Sequence, residues 1–475
     1  MLIRAPEVRL PSREEVDRAK LDLERRLGPS KVLTGTDALT SYASDESDVE
    51  GRLPDAVVIA ASAQDVAVTL AIAELSGVPV TPRAGGTGRT GGAVPVAGGI
   101  VLATHALARI KDIDRVNLTA VVEPGVVTGE LHAAVEREGL FYAPDPNSLE
   151  SCMIGGNLGE NAGGPRAFKY GVTREWVLGI EAHLVGGRSL HVGRRTLKGV
   201  TGYDLTALLV GSEGTLAVFT EATLRLMPKP PAIATALALF ADVASAAAAV
   251  GAIIAAGVVP RCLEMLDGAT LAAVRGGGVA VDPRAGAMLL VEVDGEASEF
   301  ALLRVGEIAS ASAGSVDVVV AQDAAQRDRL WAARRSLSRA TRKLARHKLS
   351  EDVVVPRSQL AALLSRTDEI GDATGVRHLT YGHAGDGNMH VNFLWDDDAQ
   401  RPAVNRAIGM LMRATVDLGG TLSGEHGIGV SKAQYLALEQ SEELIAVQRE
   451  IKRVFDPKGL LNPGKIFPSG GHGGC

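Results

Sequence analysis

At 475 residues the chain is too long for one ordinary core, so two or three domains are expected. A hydrophobic content of 46% with 22% charged residues belongs to a folded globular protein and excludes a disordered one. A net charge of −7 and a pI near 5.9 supply no basic field, which excludes nucleic acid as the expected partner.

Cys152, Cys262 and Cys475 are widely spaced and odd in number, so they offer no disulfide framework and no C-x-x-C cluster for zinc or iron–sulfur ligation. A reducing, cytoplasmic compartment fits that usage, and electrons leaving the chain need another carrier. The first seven residues contain no apolar run of signal-peptide length.

Ser12 and Glu15 have capping-box spacing ahead of an amphipathic run through Leu27, so residues 1–48 read as an N-terminal helical segment. A strand over 56–60 and a helix over 62–76, stopped by Gly77, come next. A short strand over 78–81 leads into Pro82-Arg-Ala-Gly-Gly-Thr-Gly-Arg-Thr-Gly-Gly92. Gly86, Gly88 and Gly91 satisfy the G-x-G-x-x-G fingerprint of dinucleotide-binding folds, which requires a helix to start there. The following text contains Pro95 and several β-branched residues, and no acidic residue ends a following strand at the expected distance. The Rossmann reading fails. Two readings of the loop remain: an anion nest of backbone N–H groups to which Thr87 adds a hydroxyl, or a glycine-rich surface turn.

Short β-branched runs separated by glycine turns continue to Pro228, and Pro228-Lys-Pro-Pro231 reads as a linker. Beyond it come a strand over 235–240, a helix over 242–256, strands over 259–266 and 288–293, a helix over 297–310 and a strand over 315–320. That order predicts a ferredoxin-like α+β unit. Residues 234–260 are nearly all apolar and imitate a membrane span, but a strand, an Asp242 N-cap and a helix ending near Gly257 explain them inside a βα unit. A basic helix is predicted over about 323–347. Its Arg327, Arg329, Arg334, Arg335, Arg339, Arg342 and Lys343 form a pattern that usually marks a solvated face.

Leu379-Thr-Tyr-Gly-His-Ala-Gly-Asp-Gly-Asn-Met-His-Val-Asn-Phe393 flanks a turn sequence with two strand-like pieces, which predicts a hairpin with His383 and His390 converging. Gly424-Glu-His-Gly427 adds a carboxylate and an imidazole in a glycine-flanked turn. Two His and one Glu leave open positions on a divalent metal, as catalytic sites do. A lone strand histidine is ordinarily a core or surface group. Here His378, His383, His390 and His426, four of the ten, fall in or beside these two motifs.

These motifs in this order, with Pro144-Asp-Pro146, Ser151–Gly164, Lys198–Leu205 and Gly211–Leu216, resemble one branch of the vanillyl-alcohol oxidase superfamily. That branch contains D-lactate dehydrogenases, D-2-hydroxyglutarate dehydrogenases and the flavin subunit of glycolate oxidase, and the similarity runs from about 50 to 468. The resemblance implies an α+β fold with a two-subdomain FAD-binding domain over 49–230. It further implies a ferredoxin-like substrate or cap domain over 231–422, and a short helical C-terminal segment over 423–475 that returns to the flavin.

By resemblance, Arg83, Ala84, Gly85, Gly86, Thr87 and Gly88 hold the FAD pyrophosphate, and Pro144 and Asp145 lie near the flavin ring. Gly155, Gly156, Asn157, Asn161 and Gly163 line the flavin, Glu213, Gly214 and Val218 hold the adenine side, and Asn462 returns to the flavin. Ala84 stands where the family has glycine. No histidine lies within 82–95, so FAD is expected to be non-covalent through that loop.

The metal ligands implied are His383, His390 and Glu425, with zinc the first expectation and manganese or iron(II) open. Arg334 is the candidate for the substrate carboxylate, with Lys348 second, because a guanidinium pairs with it bidentately. Asn392, two residues after His390, points to the same side and could hold substrate. His426 is the expected base, since imidazole titrates near the operating pH. A Lewis acid on the substrate hydroxyl stabilises the alkoxide character that grows as hydride leaves for the flavin.

The expected function is FAD-dependent oxidation of a small D-2-hydroxy acid. Glu351-Asp-Val-Val-Val-Pro-Arg-Ser358 resembles glycolate oxidase flavin subunits, which favours glycolate or D-lactate. D-2-hydroxyglutarate is the nearest alternative, and it would require an extra cation that the sequence does not assign. A metal-free alcohol or sugar oxidase and a non-catalytic flavin-binding subunit are the further alternatives. Electrons would pass to a quinone, an electron-transfer flavoprotein or an iron–sulfur subunit. A homodimer or an oxidase-complex subunit is expected, without a transmembrane segment, held to the inner face of the membrane only through a partner.

Overall fold

The computed structural model describes residues 8–276 and 281–467. The first seven residues, Cys475 and the glycine-rich tail lie outside them, as do the side chains of Arg335 and Arg339. The chain divides into two compact units. Among the described residues, one comprises 8–163, 172–229 and 425–467; the other holds 164–171, 230–276 and 281–424.

In the first unit, the helix Arg13–Leu27 begins with the capping box that Ser12 and Glu15 announce. Its Val16, Ala19 and Leu23 recur at helical spacing and enter a core with Val58, Leu70, Ile100 and Val218. The helix Ala63–Ser76 is capped by the Ser62 side chain and stopped by Gly77 in the left-handed region. Strands Ala56–Ile59 and Val80–Arg83 flank Ile100–Ala103 in parallel, and Val32–Leu33 adds an antiparallel edge. No helix follows Arg83, and the chain runs through turns to Ile100. A second sheet is antiparallel, in the order Ile110–Asp114, Thr119–Val122, Val218–Arg225, Val177–His183, Ser189–Gly193. The C-terminal return joins the core through buried Leu461, and its backbone bonds on both sides of Val80.

The second unit is built on a seven-stranded antiparallel sheet in the order Ser315–Val320, Ile233–Phe240, Ala287–Asp294, Cys262–Leu266, Arg377–His383, Asn388–Trp395, His347–Val354. Its first four strands have the ferredoxin-like order, with helices Val243–Ala255 and Ser298–Ala311 as crossovers and an extra helix, Gly268–Gly276, between two strands. Asp242 caps the alanine-rich helix through Ser245 N. Among the described residues no helix is long and apolar enough to cross a membrane. The basic helix is Ala324–Arg342, shorter than the sequence suggested, because His347 opens a strand that pairs along its whole length with Asn388–Trp395.

Candidate active site

Strand register gathers most of the polar residues onto one face of the seven-stranded sheet. Glu264 lies opposite His383, Tyr381 opposite His390, and His390 opposite Asp352. Alternate residues share a face, so Lys348, Ser350, Asn388 and Asn392 belong to it as well. The turn after His383 closes the hairpin, and the two imidazoles meet edge to face with centroids 5.3 Å apart.

Both histidines are backed by buried carboxylates. Glu264 takes His383 Nδ1 at 2.5 Å and Arg334 Nε at 2.7 Å. Burial, the strongest influence on Glu264, would raise its pKa, but His383 and Arg334 outweigh it and hold the carboxyl below its ordinary range. An ionised carboxylate can only accept, so His383 Nδ1 donates. Asp352 lies 3.8 Å from His390 Nδ1 and accepts from Asn388 Nδ2 at 2.5 Å. Its other oxygen accepts from Ser423 Oγ at 3.0 Å and Gly424 N at 2.8 Å, which fixes the backbone one residue before Glu425.

Arg334 is buried rather than part of a solvated face, and its guanidinium lies 5.3 Å from the Tyr381 ring centroid. Lys348 lies 5.7 Å from the same centroid and donates to Thr341 Oγ1. Asn392 Nδ2 donates to His390 O at 2.8 Å, while its buried Oδ1 accepts no hydrogen bond among the described residues. Two imidazoles, two supporting carboxylates and an arginine on one dry face suit a divalent cation and a small carboxylate.

In the other unit three glycine-rich segments converge. The loop Arg83–Gly88 is partly exposed, with Gly86 at φ +67°, and Arg83 donates to Ser44 O. Ile154–Glu160 forms a short helix despite its glycines, and a Cβ on Gly155 would stand 2.7 Å from Pro124 Cβ. The loop after Val210 is tied to that helix by Gly211 N to Leu158 O and Glu213 N to Gly159 O. A Cβ on Gly156 would meet only Ala84 Cβ at 3.9 Å, and one on Gly159 only Gly214 N at 3.9 Å, so the three segments border a shared space. Ser212 Oγ and Asn462 Oδ1 are buried there without hydrogen-bond partners among the described residues. A space bordered by backbone, with spare polar atoms, fits a flavin nucleotide.

Several expected flavin residues have a structural task of their own. Asn161 caps the short helix at φ +55° and accepts from Arg174 N. Asn157 donates to Thr128 Oγ1, and the Val218 side chain is core. Pro144 O bonds His132 Nε2 at 2.8 Å, and Asp145 is half-buried beside it. Gly163 leaves room for Glu425, whose Oε2 lies 2.9 Å from where a Cβ would be. His426 is half-buried, and its carbonyl accepts from Thr90 Oγ1. The Glu213 carboxylate accepts from Ile428 N and Gly429 N, and Asn462 Nδ2 donates to Gly92 O and Glu213 O.

Glu264, Asp352, Tyr381 and Asn388 were not singled out from sequence. For Glu264 a signal existed, a carboxylate inside the apolar run Leu263-Glu-Met-Leu266. Buried ionisable groups around Glu213 were also missed. Lys465 donates to Val94 O, and burial pushes its pKa down to about 7 against the pull of Asp45 and Glu213. Glu160 is raised well above the carboxylate range, first by burial and then by Glu213 and Asp45. Glu213 has two N–H donors and nearby lysines, so Glu160 keeps the proton of the pair.

That raised group makes a testable contribution to stability. The folded chain holds a proton that the unfolded chain has released, so stability falls as pH rises from the ordinary carboxylate range through the raised one. Glu160→Gln removes this slope. In FAD-depleted protein its melting temperature should match wild type near about pH 4 and exceed it near about pH 8. Parallel melting curves across that range would show that Glu160 ionises normally.

Comparison with known proteins comes to the same architecture. The pattern described as "FAD binding domain" matches residues 54–193, and "FAD linked oxidases, C-terminal domain" matches 229–466. The glycolate oxidase subunit GlcD of Bacillus subtilis is 40% identical over 433 residues, which are 90% of this chain and 92% of that protein. A D-lactate dehydrogenase of Archaeoglobus fulgidus is 37% identical over 86% of this chain and 90% of its own. Among solved structures, p-cresol methylhydroxylase with bound substrate superposes with a TM-score of 0.80 at 17% identity, covering 97% of this chain and 99% of that one. The fold is therefore that of the vanillyl-alcohol oxidase-type flavoenzymes.

Proposed function

This chain belongs to the family of FAD-linked oxidases, and on that premise we propose that it oxidises a small D-2-hydroxy acid, glycolate or D-lactate, to the 2-oxo acid. The observation that carries the reading is Glu264, one buried carboxylate that fixes both an imidazole suited to a metal and a guanidinium suited to a substrate carboxylate. When bound, FAD accepts the hydride, and a divalent cation, zinc by first expectation, stabilises negative charge on the substrate oxygen.

The chain's own residues do the rest. His383, His390 and Glu425 hold the cation. Arg334, its plane set through Nε by Glu264, pairs with the substrate carboxylate and orients the α-carbon. Asn392 holds the substrate in place, and His426 takes the hydroxyl proton. The glycine loop at 83–88 with Thr87 cradles the FAD pyrophosphate, and Gly155, Gly156 and Gly214 let the cofactor approach the backbone. FAD is held non-covalently.

A relative named as a subunit supports work beside a partner that carries electrons onward to a quinone, an electron-transfer flavoprotein or an iron–sulfur protein. The chain is proposed to act in the cytoplasm, reaching the membrane only through such a partner. D-2-hydroxyglutarate is the second reading, favoured by Lys348, a second cation against Tyr381 that a second carboxylate would use.

Turnover with a dye acceptor on glycolate, D-lactate and D-2-hydroxyglutarate separates the two. Higher kcat/KM on the monoacids supports the first reading, and preference for the diacid transfers the function to the second. Arg334→Ala should raise KM for the favoured acid about 10- to 100-fold, in line with a lost charge-assisted pair. An unchanged KM removes Arg334 from the substrate site.

A further inference from the structure

The helix Ala324–Arg342 lays a row of contacts on the sheet of its own unit. Trp331, Arg334, Leu337 and Thr341 recur every three or four residues, the spacing of one helix face. Trp331 Nε1 donates to Glu292, Arg334 Nε donates to Glu264, Leu337 is core, and Thr341 Oγ1 accepts from Lys348 Nζ at 2.9 Å. Tyr381 lies among these contacts. Its ring centroid is 5.3 Å from the Arg334 guanidinium and 5.7 Å from the Lys348 ammonium, and the His390 ring is tilted against it at 5.9 Å.

Tyr381 is buried in an apolar cluster with Leu337, Leu379 and Leu394. Burial alone calls for a large apolar side chain, and leucine would serve. It does not call for two cations against one ring. Like charges brought together repel, whereas the negative face of an aromatic ring attracts each of them. Glu264 fixes the guanidinium at Nε, and the ring adds a second constraint on its plane. Lys348 carries its charge on a flexible four-carbon stem, so a ring beside the ammonium narrows where that charge can go. The phenol hydroxyl contributes less, because Lys348 Nζ reaches it only at 3.5 Å, the outer limit of a hydrogen bond.

We propose that Tyr381 is a positioning residue for substrate binding, whose ring face holds the Arg334 guanidinium and the Lys348 ammonium in place for the acid end of the substrate. The inference rests on the proposed role of Arg334. It assigns the effect to the aromatic face and not to the hydroxyl.

Steady-state kinetics of the FAD-loaded protein with a dye acceptor test it. Phenylalanine carrying none, one, two or three ring fluorines at position 381 keeps the size of the side chain while draining its face of electron density. KM for the favoured acid should rise stepwise along that series, by about tenfold in all, while kcat moves much less. Melting temperature and metal content should stay level. Tyr381→Leu should raise KM at least as far, and Tyr381→Phe should recover most of that loss. Once Arg334→Ala has removed one of the two cations, Tyr381→Leu should add less than about threefold to KM. A KM that ignores fluorination while Arg334→Ala raises it overturns this proposal alone. An unchanged KM in Arg334→Ala overturns the substrate assignment and this proposal with it. A Phe variant as impaired as the Leu variant would assign the effect to the hydroxyl, and also overturns the proposal.

Discussion

His390→Ala abolishes turnover while FAD stays bound. His390 is 3% exposed in the middle of the sheet, tilted against Tyr381 and edge to face with His383, so on the proposed assignment its loss removes one of the cation's ligands. The residues assigned to FAD sit in the other unit, within 83–88, 144–163 and 213–218 and at Asn462. The expected fall in kcat is on the order of 10³-fold or more, because charge stabilisation at the substrate oxygen disappears. Flavin absorbance after gel filtration should match wild type, and metal content should drop. Loss of flavin together with turnover would place His390 in the cofactor's support and not in the chemistry.

Glu264→Gln damages binding and stability together. Glu264 is fully buried and accepts from two donors, Arg334 Nε and His383 Nδ1. A glutamine of the same shape has one acceptor and one donor end, so one partner must face an NH₂ group. The buried guanidinium also loses its counter-charge, a defect that costs about 3–5 kcal/mol in comparable buried pairs. Metal affinity should fall about 10- to 100-fold through loss of the group that orients His383, and KM should rise as Arg334 loses its anchor. Thermal melting, metal titration and steady-state kinetics on one preparation read all three. A variant with wild-type melting and metal affinity would show that Glu264 does not position either side chain.

What the sequence disclosed was local. Ser12 with Glu15, Ser62 and Asp242 are caps whose partners lie three residues away, and each forms as its spacing required. The hairpin that joins His383 to His390 follows from the turn Ala384–Gly387, and the failed Rossmann motif follows from Pro95. The long-range partners were hidden. Glu264 reaches His383 only because strand Cys262–Leu266 pairs beside Arg377–His383, and no feature of either segment states that adjacency. Asp352 was visible in the Glu351–Ser358 segment, yet its contact with Gly424 depends on a backbone bridge between Val354 and Thr421. Asn161 illustrates the converse. Its motif suggests a cofactor contact, and the backbone needs it first as a left-handed cap.

The most direct test of the account is anaerobic bleaching of the purified protein's flavin absorbance. Glycolate and the D- and L-forms of lactate and 2-hydroxyglutarate are added in turn, before and after chelation. The account predicts rapid bleaching by glycolate or D-lactate, slow or absent bleaching by the L-acids, and loss of the reaction on chelation with recovery when zinc or manganese is restored. Bleaching that chelation leaves untouched, or none with any hydroxy acid while flavin is visibly bound, would contradict it and favour a metal-free alcohol oxidase or a flavin-binding subunit.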